Sequence, residues 1–221
     1  MNHATARPRN DSGMSSDTAT TVKLEQRTLM LSTADQQHLM IPLDQGGRYR
    51  IVAPDEATVQ SVVDAFETCA GVGVLPADGG LLGAMTVAEN YSLALRYGAD
   101  PREAAASEWQ HALELAFQVC GLPQERILTI GRERPMNLDR TERWLVGFVR
   151  NLLRPPELLV LDRVFGGLSR REAGTVLGLE AVYHDFHPFR PALFVDLDAH
   201  ELPAVPDCLN YLELETFACP C

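Results

Sequence analysis

The chain has 221 residues, 46% of them hydrophobic and 22% charged, which supports a core of ordinary size for one domain. Its formal net charge of -11 argues against general binding to the phosphate backbone of nucleic acid. No apolar run approaches the ~18 residues a membrane span needs, and five cysteines at scattered spacing do not make a disulfide framework.

Residues 1–20 are rich in Ser, Thr, Asn and Asp and read as a disordered polar tail. They hold no apolar stretch of the kind a secretory leader carries, so a cytoplasmic location is expected. Residues 22–31 (VKLEQRTLML) and 38–44 (HLMIPLD) read as strands around the turn-prone STADQQ. Gly46-Gly47 marks a turn, and Arg48 to Ala53 alternates like a strand. Pro54-Asp55-Glu56 then opens a helix that ends by Gly71, with Val59, Val62, Val63 and Phe66 on one face. Gly73 to Leu82 reads as a strand leading into a loop. Thr86 and Glu89 are a capping-box pair for a helix reaching Tyr97. Asp100-Pro101-Arg102-Glu103 starts another, running to Cys120 with Trp109, Leu113, Phe117 and Cys120 on one stripe and Gly121 as its stop.

Asp139 and Glu142 repeat the cap pattern before Trp144 to Leu153, and Pro155-Pro156 ends that helix. Leu158 to Asp162 (LLVLD) is a buried strand delivering a carboxylate to the carboxyl edge of a sheet. A helix over Ser169–Tyr183, a buried strand over Ala192–Asp196 and a last strand over Leu209–Leu214 complete the chain. Residues 217–221 form a second tail, whose Cys219 and Cys221 lack a further ligand pair for a soft metal. Helices alternating with buried strands give an α/β fold with a largely parallel sheet, and the N-terminal strands an antiparallel side sheet.

The order of residues from Pro135 to Arg171 resembles the nucleotide-binding domains of ABC transporters. Leu138-Asp139-Arg140-Thr141-Glu142 stands where that family has its LSGGQ motif. Pro156-Glu157 and Leu158 to Asp162 follow the family's Pro-Glu pair and apolar strand, and Gly167-Leu168-Ser169 stands for its Gly-Leu-Asp turn. Gly80 to Asn90 and Leu93 to Tyr97 also look like the family, in the branch serving lipid-trafficking transporters of the Mce-associated, maintenance-of-lipid-asymmetry type. The resemblance spans roughly residues 22–215. It implies a single P-loop NTPase-like domain over residues 21–216, with a helical sub-lobe at about 86–153 and a nucleotide-facing lobe shorter than the family's. It also implies ATP and Mg²⁺ as cofactors, a membrane permease and a second ATPase subunit as partners, and a peripheral place on the inner face of the cell membrane.

The chemical positions depart from that pattern. A phosphate loop needs glycines whose backbone N–H groups cradle phosphates and a lysine for the outer phosphates. Here the strand–helix junction runs Ala53 to Ser61, with Thr58 for the last glycine, Val59 for the lysine and Gln60-Ser61 for the Ser/Thr pair. The only lysine of the chain is Lys23. Asp55 and Glu56 place two carboxylates at a helix N-terminus, the end that attracts anions. Pro76 or Ala77 stands for the family's Q-loop glutamine, Asp139 for the serine of LSGGQ, and Leu197 for the switch histidine, with His200 three residues on. Asp162 matches the aspartate that holds Mg²⁺ through water. Arg163 replaces the glutamate that polarises the attacking water, and arginine accepts no proton at neutral pH.

Ser61 and Asp162 are therefore the remnant cofactor-binding positions, with no catalytic residue and no metal ligand set. The resulting expectation is an ABC ATP-binding subunit that has lost hydrolysis and acts as a structural or regulatory partner, in lipid transport, with Leu81, Leu82, Ala84, Met85 and Val87 suited either to the permease contact or to core packing. Three alternatives stay open: an ATPase with an atypical site that uses Arg48 or Arg50 for phosphate, a composite site completed on a partner through Asp162 or Arg140, and an unrelated α/β binding or interaction protein.

Overall fold

The computed structural model describes residues 19–33, 38–96, 106–166, 170–197 and 210–214. The tail calls at 1–20 and 217–221 fall almost wholly outside them, as do Gly167-Leu168-Ser169, His200 and the expected helix start at Asp100. Three strands, β1 (Thr21–Glu25), β2 (Thr28–Ser32) and β3 (His38–Pro42), form an antiparallel sheet in that order. The single strand expected over 22–31 is thus two. Gln26 and Arg27 lie at φ 47° and 64°, the left-handed pair that a two-residue hairpin requires. Arg27 also anchors the turn, donating to Leu43 O through Nε at 3.2 Å and Nη2 at 3.0 Å.

The second sheet holds β4 (Arg48–Val52), β5 (Val72–Pro76), β6 (Leu158–Asp162), β7 (Ala192–Asp196) and β8 (Asn210–Glu213) in the order β5-β6-β7-β4-β8, every neighbouring pair parallel. Parallel neighbours need long crossovers, so both faces of such a sheet are covered and its inner strands are apolar throughout. Every residue of β6 and β7 is buried. Side chains alternate between the faces. Tyr49, Ile51, Leu158, Val160, Leu193 and Val195 pack with Val59, Val62, Val63 and Phe66 of helix α1 (Glu56–Glu67) and with Leu29, Leu31 and Ile41 of the antiparallel sheet. Leu75, Leu159, Leu161 and Phe194 join the opposite core, built on the other helices.

Those helices are α2 (Val87–Arg96), α3 (Ala106–Cys120), α4 (Gln124–Ile130), α5 (Arg140–Leu153) and α6 (Arg170–Phe186). The Thr86/Glu89 capping box forms, with Glu89 N donating to Thr86 Oγ1 at 3.3 Å and Thr86 N to Glu89 Oε2 at 2.7 Å. On α3, Leu113 and Phe117 are fully buried and Cys120 packs against the same core, and Gly121 turns the chain away at φ 66°; the side chain of Trp109 lies outside the description. Helix α4 and the 3₁₀ turn Pro135–Asn137 were not expected. Only Ile127 and Ile130 of α4 are buried, too few to establish a periodicity in sequence. Among the described residues no helix is long and apolar enough to cross a membrane.

Helix α5 crosses the loop after β5 at backbone contact. A Cβ on Gly147 would lie 2.1 Å from Gly79 O, and one on Gly79, itself at φ 87°, would lie 2.1 Å from Arg143 O. No side chain fits between them, so the glycine pair sets how closely the loop approaches the helix. Gly147→Ala is expected to lower stability by about 1–3 kcal/mol through overpacking. A urea midpoint equal to that of the parent chain would contradict this close approach.

Candidate functional site

In open parallel sheets, ligands bind beyond the carboxyl ends of the strands. Here that edge brings together the ends of β4, β7 and β6 and the first turn of α1. The connection from β4 to α1 is only Ala53, Pro54 and Asp55. Ala53 N donates to Asp196 O at 2.8 Å, which extends the sheet pairing into the connection. Asp55 is extended at φ -152°, and its carboxylate accepts from Thr58 N at 2.8 Å. This N–H holds the Asp55 carboxyl below its ordinary pKa. The carboxylate so occupies a donor that a helix N-terminus would otherwise offer an incoming anion.

Further along α1, Val59 at the lysine position is fully buried in the core. Ser61 turns its hydroxyl toward the N-terminal strands, donating to Thr20 Oγ1 at 2.6 Å. The α1 residues that do reach the end of β6 are Glu56 and Gln60, one helical turn apart on the same face. Both accept from the Arg163 guanidinium: Glu56 from Nη1, and Gln60 Oε1 from Nη2 at 2.9 Å. Arg163 also grips Asp162 with two hydrogen bonds, Nε to Oδ1 at 2.7 Å and Nη2 to Oδ2 at 2.9 Å.

Asp162 is 3% exposed, so a bidentate arginine is the geometry that best compensates its lost hydration. Asp162 first, then Glu56, push the Arg163 pKa upward, which fixes a permanent cation at the strand end. Arg163 adopts φ 47° to make this reach, while its N–H donates to Val195 O at 2.9 Å. A left-handed backbone at a bulky residue costs about 1–2 kcal/mol. The charged hydrogen bonds, each worth about 1.5–3 kcal/mol, outweigh that cost.

Arg48 and Arg50, the sequence alternatives for phosphate, serve protein carboxylates instead. Arg48 Nε lies 2.8 Å from Glu180 Oε1 on α6, and Arg50 Nη2 lies 3.6 Å from Asp196 Oδ2. The His184 ring also approaches Glu180, at 2.5 Å. At the switch position, Leu197 N donates to Asp196 Oδ1 at 2.9 Å, closing the end of β7.

The loop after β5 is closed on itself and on α5. Gly79 N donates to Pro76 O at 2.9 Å, Gly80 N to Asp78 Oδ1 at 3.0 Å, and Arg150 Nη1 to Gly80 O at 2.6 Å. Of the apolar residues set aside for a partner, Val87 is fully buried and belongs to the core, whereas Leu82 is 48% exposed. At the start of α5, Asp139 accepts from Glu142 N at 2.8 Å, and Glu142 Oε2 accepts from Asp139 N at 3.2 Å. Arg126 of α4 clamps Glu142 through Nε at 2.5 Å and Nη2 at 3.0 Å and holds its carboxyl below the ordinary pKa. Arg140 donates through Nη2 to Gly166 O at 3.0 Å.

Sequence reading thus placed Asp162 and Arg163 at this edge but missed Glu56 and Gln60 as their partners. The available signal was their spacing of four on a helix opposite an unexplained arginine. Among the described residues no group of three or more His, Cys, Asp or Glu is arranged to hold a metal ion. Arg163→Ala is expected to cost about 1–3 kcal/mol in chemical denaturation, because it strands the Asp162 carboxylate. Glu56→Ala, at the exposed end of the network, is expected to cost less. The reverse ranking would show that Asp162 does not depend on Arg163.

No protein-family model and no curated protein matches the sequence. Solved structures do share the fold. The chain is similar to CbiO1 from Clostridium perfringens, part of the ABC transporter complex CbiONQ, with a TM-score of 0.55 and 12% identity over 82% of this chain and 79% of that one. It is similar to the dimeric post-hydrolysis ATP-binding cassette MJ0796 bound to ADP and Pi, with a TM-score of 0.52 and 11% identity over 81% and 86% of the two chains. A further dimeric structure of MJ0796, a bacterial ABC transporter cassette, gives a TM-score of 0.53 and 11% identity over 88% and 92%. The fold is that of an ABC transporter ATP-binding cassette.

Proposed function

We propose that this chain is an ABC-type ATP-binding subunit that does not hydrolyse ATP and works as a structural or regulatory partner. Its nucleotide edge is closed internally. The observation that carries this reading is Arg163, which bridges Asp162, Glu56 and Gln60 across the place where a triphosphate and its metal would sit. The residues do not fit Mg-ATP. Asp55 and Glu56 stand at the helix end that would meet the phosphates, where their negative charge opposes the approach of an anion. Asp162 is already neutralised by its neighbour, and Arg163, which follows it, accepts no proton from water.

The partners follow from the fold's relatives: a membrane permease and a second ATPase subunit, active or like this one, at the inner face of the membrane. Lipid as the transported class rests on the sequence likeness of Gly80 to Tyr97 alone. For the permease contact we choose the groove of about 610 Å³ at the opposite edge of the sheet, lined by Leu82, Leu93, Arg150, Arg154 and Arg190 beside Glu157. In a chain of net charge -11, this grouping of arginines selects an acidic docking segment with an apolar side.

Calorimetric titration of the purified chain with Mg-ATP is expected to give no saturation in the micromolar range and no phosphate release. Turnover that disappears on Asp162→Ala would overturn the reading. Affinity capture from membranes is expected to recover a permease, and the pair Leu82→Asp with Arg154→Glu is expected to abolish capture while the melting temperature is kept. Undiminished capture by that variant would move the contact elsewhere.

A further inference from the structure

A second cavity lies on the helical face of the sheet, enclosed by α3, α5 and α6. Its volume is about 530 Å³, within the range of small-molecule sites. None of the residues in the Arg163 network lines it. Its floor is apolar: Trp144, Val164, Val176 and Leu179 are all buried, and the half-buried Cys120 adds a thiol whose pKa burial pushes up to about 11, so that it is neutral. Its rim is polar, with Arg140, Thr141, Arg171, Glu172 and Thr175.

A second observation comes from Trp144 itself. The residue is 7% exposed, and its indole Nε1–H is buried with no hydrogen-bond acceptor. A buried indole normally finds an acceptor, and an unmet donor is a cost to the folded chain. An acidic chain that gathers two arginines at the mouth of an apolar cavity is arranged for a ligand with an apolar body and an acceptor-bearing anionic head. Glu172 on the same rim sets the charge of that head. It offsets one of the two arginines, which favours a single negative charge over a dianionic phosphate.

We propose that this cavity binds a small amphipathic monoanion, an aliphatic carboxylate of medium chain length. Its carboxylate lies between Arg140 and Arg171, and its tail runs over Trp144, Val176 and Leu179. Arg140 keeps its contact to Gly166 O through Nη2 and uses its remaining N–H groups. The proposal does not depend on the loss of ATP hydrolysis or on a permease, since it is tested on the purified full chain with neither present.

Octanoate serves as the probe in isothermal calorimetry, with acetate for the head alone, 1-octanol for the tail alone and octyl phosphate for the dianionic head. One saturable site is expected, at least about tenfold tighter for octanoate than for any of the other three. Arg171→Glu is expected to weaken octanoate by about tenfold or more. Thr175→Trp, at the half-exposed rim, fills the cavity without disturbing the core and is expected to abolish binding, which covers the case in which a buried variant fails to fold. Absence of saturation by octanoate, equal affinity for 1-octanol, tighter binding of octyl phosphate, or unchanged affinity in folded Arg171→Glu and Thr175→Trp would each overturn the proposal.

Discussion

A carboxylate buried at the end of a parallel strand needs a counter-charge, and the way Asp162 obtains one organises this molecule's nucleotide edge. The strand is apolar on both sides, so Asp162 has almost no water to solvate it. In an active cassette a hydrated metal ion would meet that need. Here the next residue in the chain does so, at the expense of an unfavourable backbone angle. Because Arg163 then has N–H groups to spare, it also draws in Glu56 and Gln60 from α1. Arg163 thereby ties the end of β6 to the first turns of α1.

The same logic holds around the rest of that edge. Asp55 caps α1 with its own carboxylate, Asp196 closes β7 through Leu197 N, and Arg50 and Asp196 are paired. Among the described residues, these charged groups at the edge find partners within the chain. Such internal pairing occupies donors and acceptors that a ligand would otherwise meet.

The elements that were legible in the sequence are those whose signals are local. The capping boxes at Thr86/Glu89 and Asp139/Glu142 formed as read, and the buried runs of β6 and β7 became adjacent parallel strands. The hairpin at Gln26-Arg27 was hidden because neither residue favours positive φ. Its support comes from Arg27 reaching Leu43, sixteen residues away. Helix α4 was hidden because its role is tertiary, delivering Arg126 to Glu142. At the candidate site the same division applies. The departures from a phosphate loop were visible residue by residue, but the pairing of Arg163 with Glu56 spans 107 positions and has no local trace. Ser61 shows the converse failure: its place in the motif order was legible, while its hydroxyl's direction toward Thr20 was set by the packing of α1 on the N-terminal strands.

Helix α5 is held at three points along its length, each from a different part of the chain. Its start is held by the capping box and by Arg126, its middle by the Gly147–Gly79 contact, and its end by Arg150 on Gly80 O. Between these points, Leu145, Val146, Phe148 and Val149 are fully buried. Burial of that many large side chains stabilises the helix by several kcal/mol each way it is counted, at about 1.5–3 kcal/mol for each one. The glycines and the arginine only set where it lies against the loop after β5. The arrangement of loop and helix is therefore determined by packing, and substitutions at the carboxyl edge can accumulate without loosening it. Because the loop is fastened to α5 by backbone contact and by Arg150, its position follows from the same packing that fixes the helix.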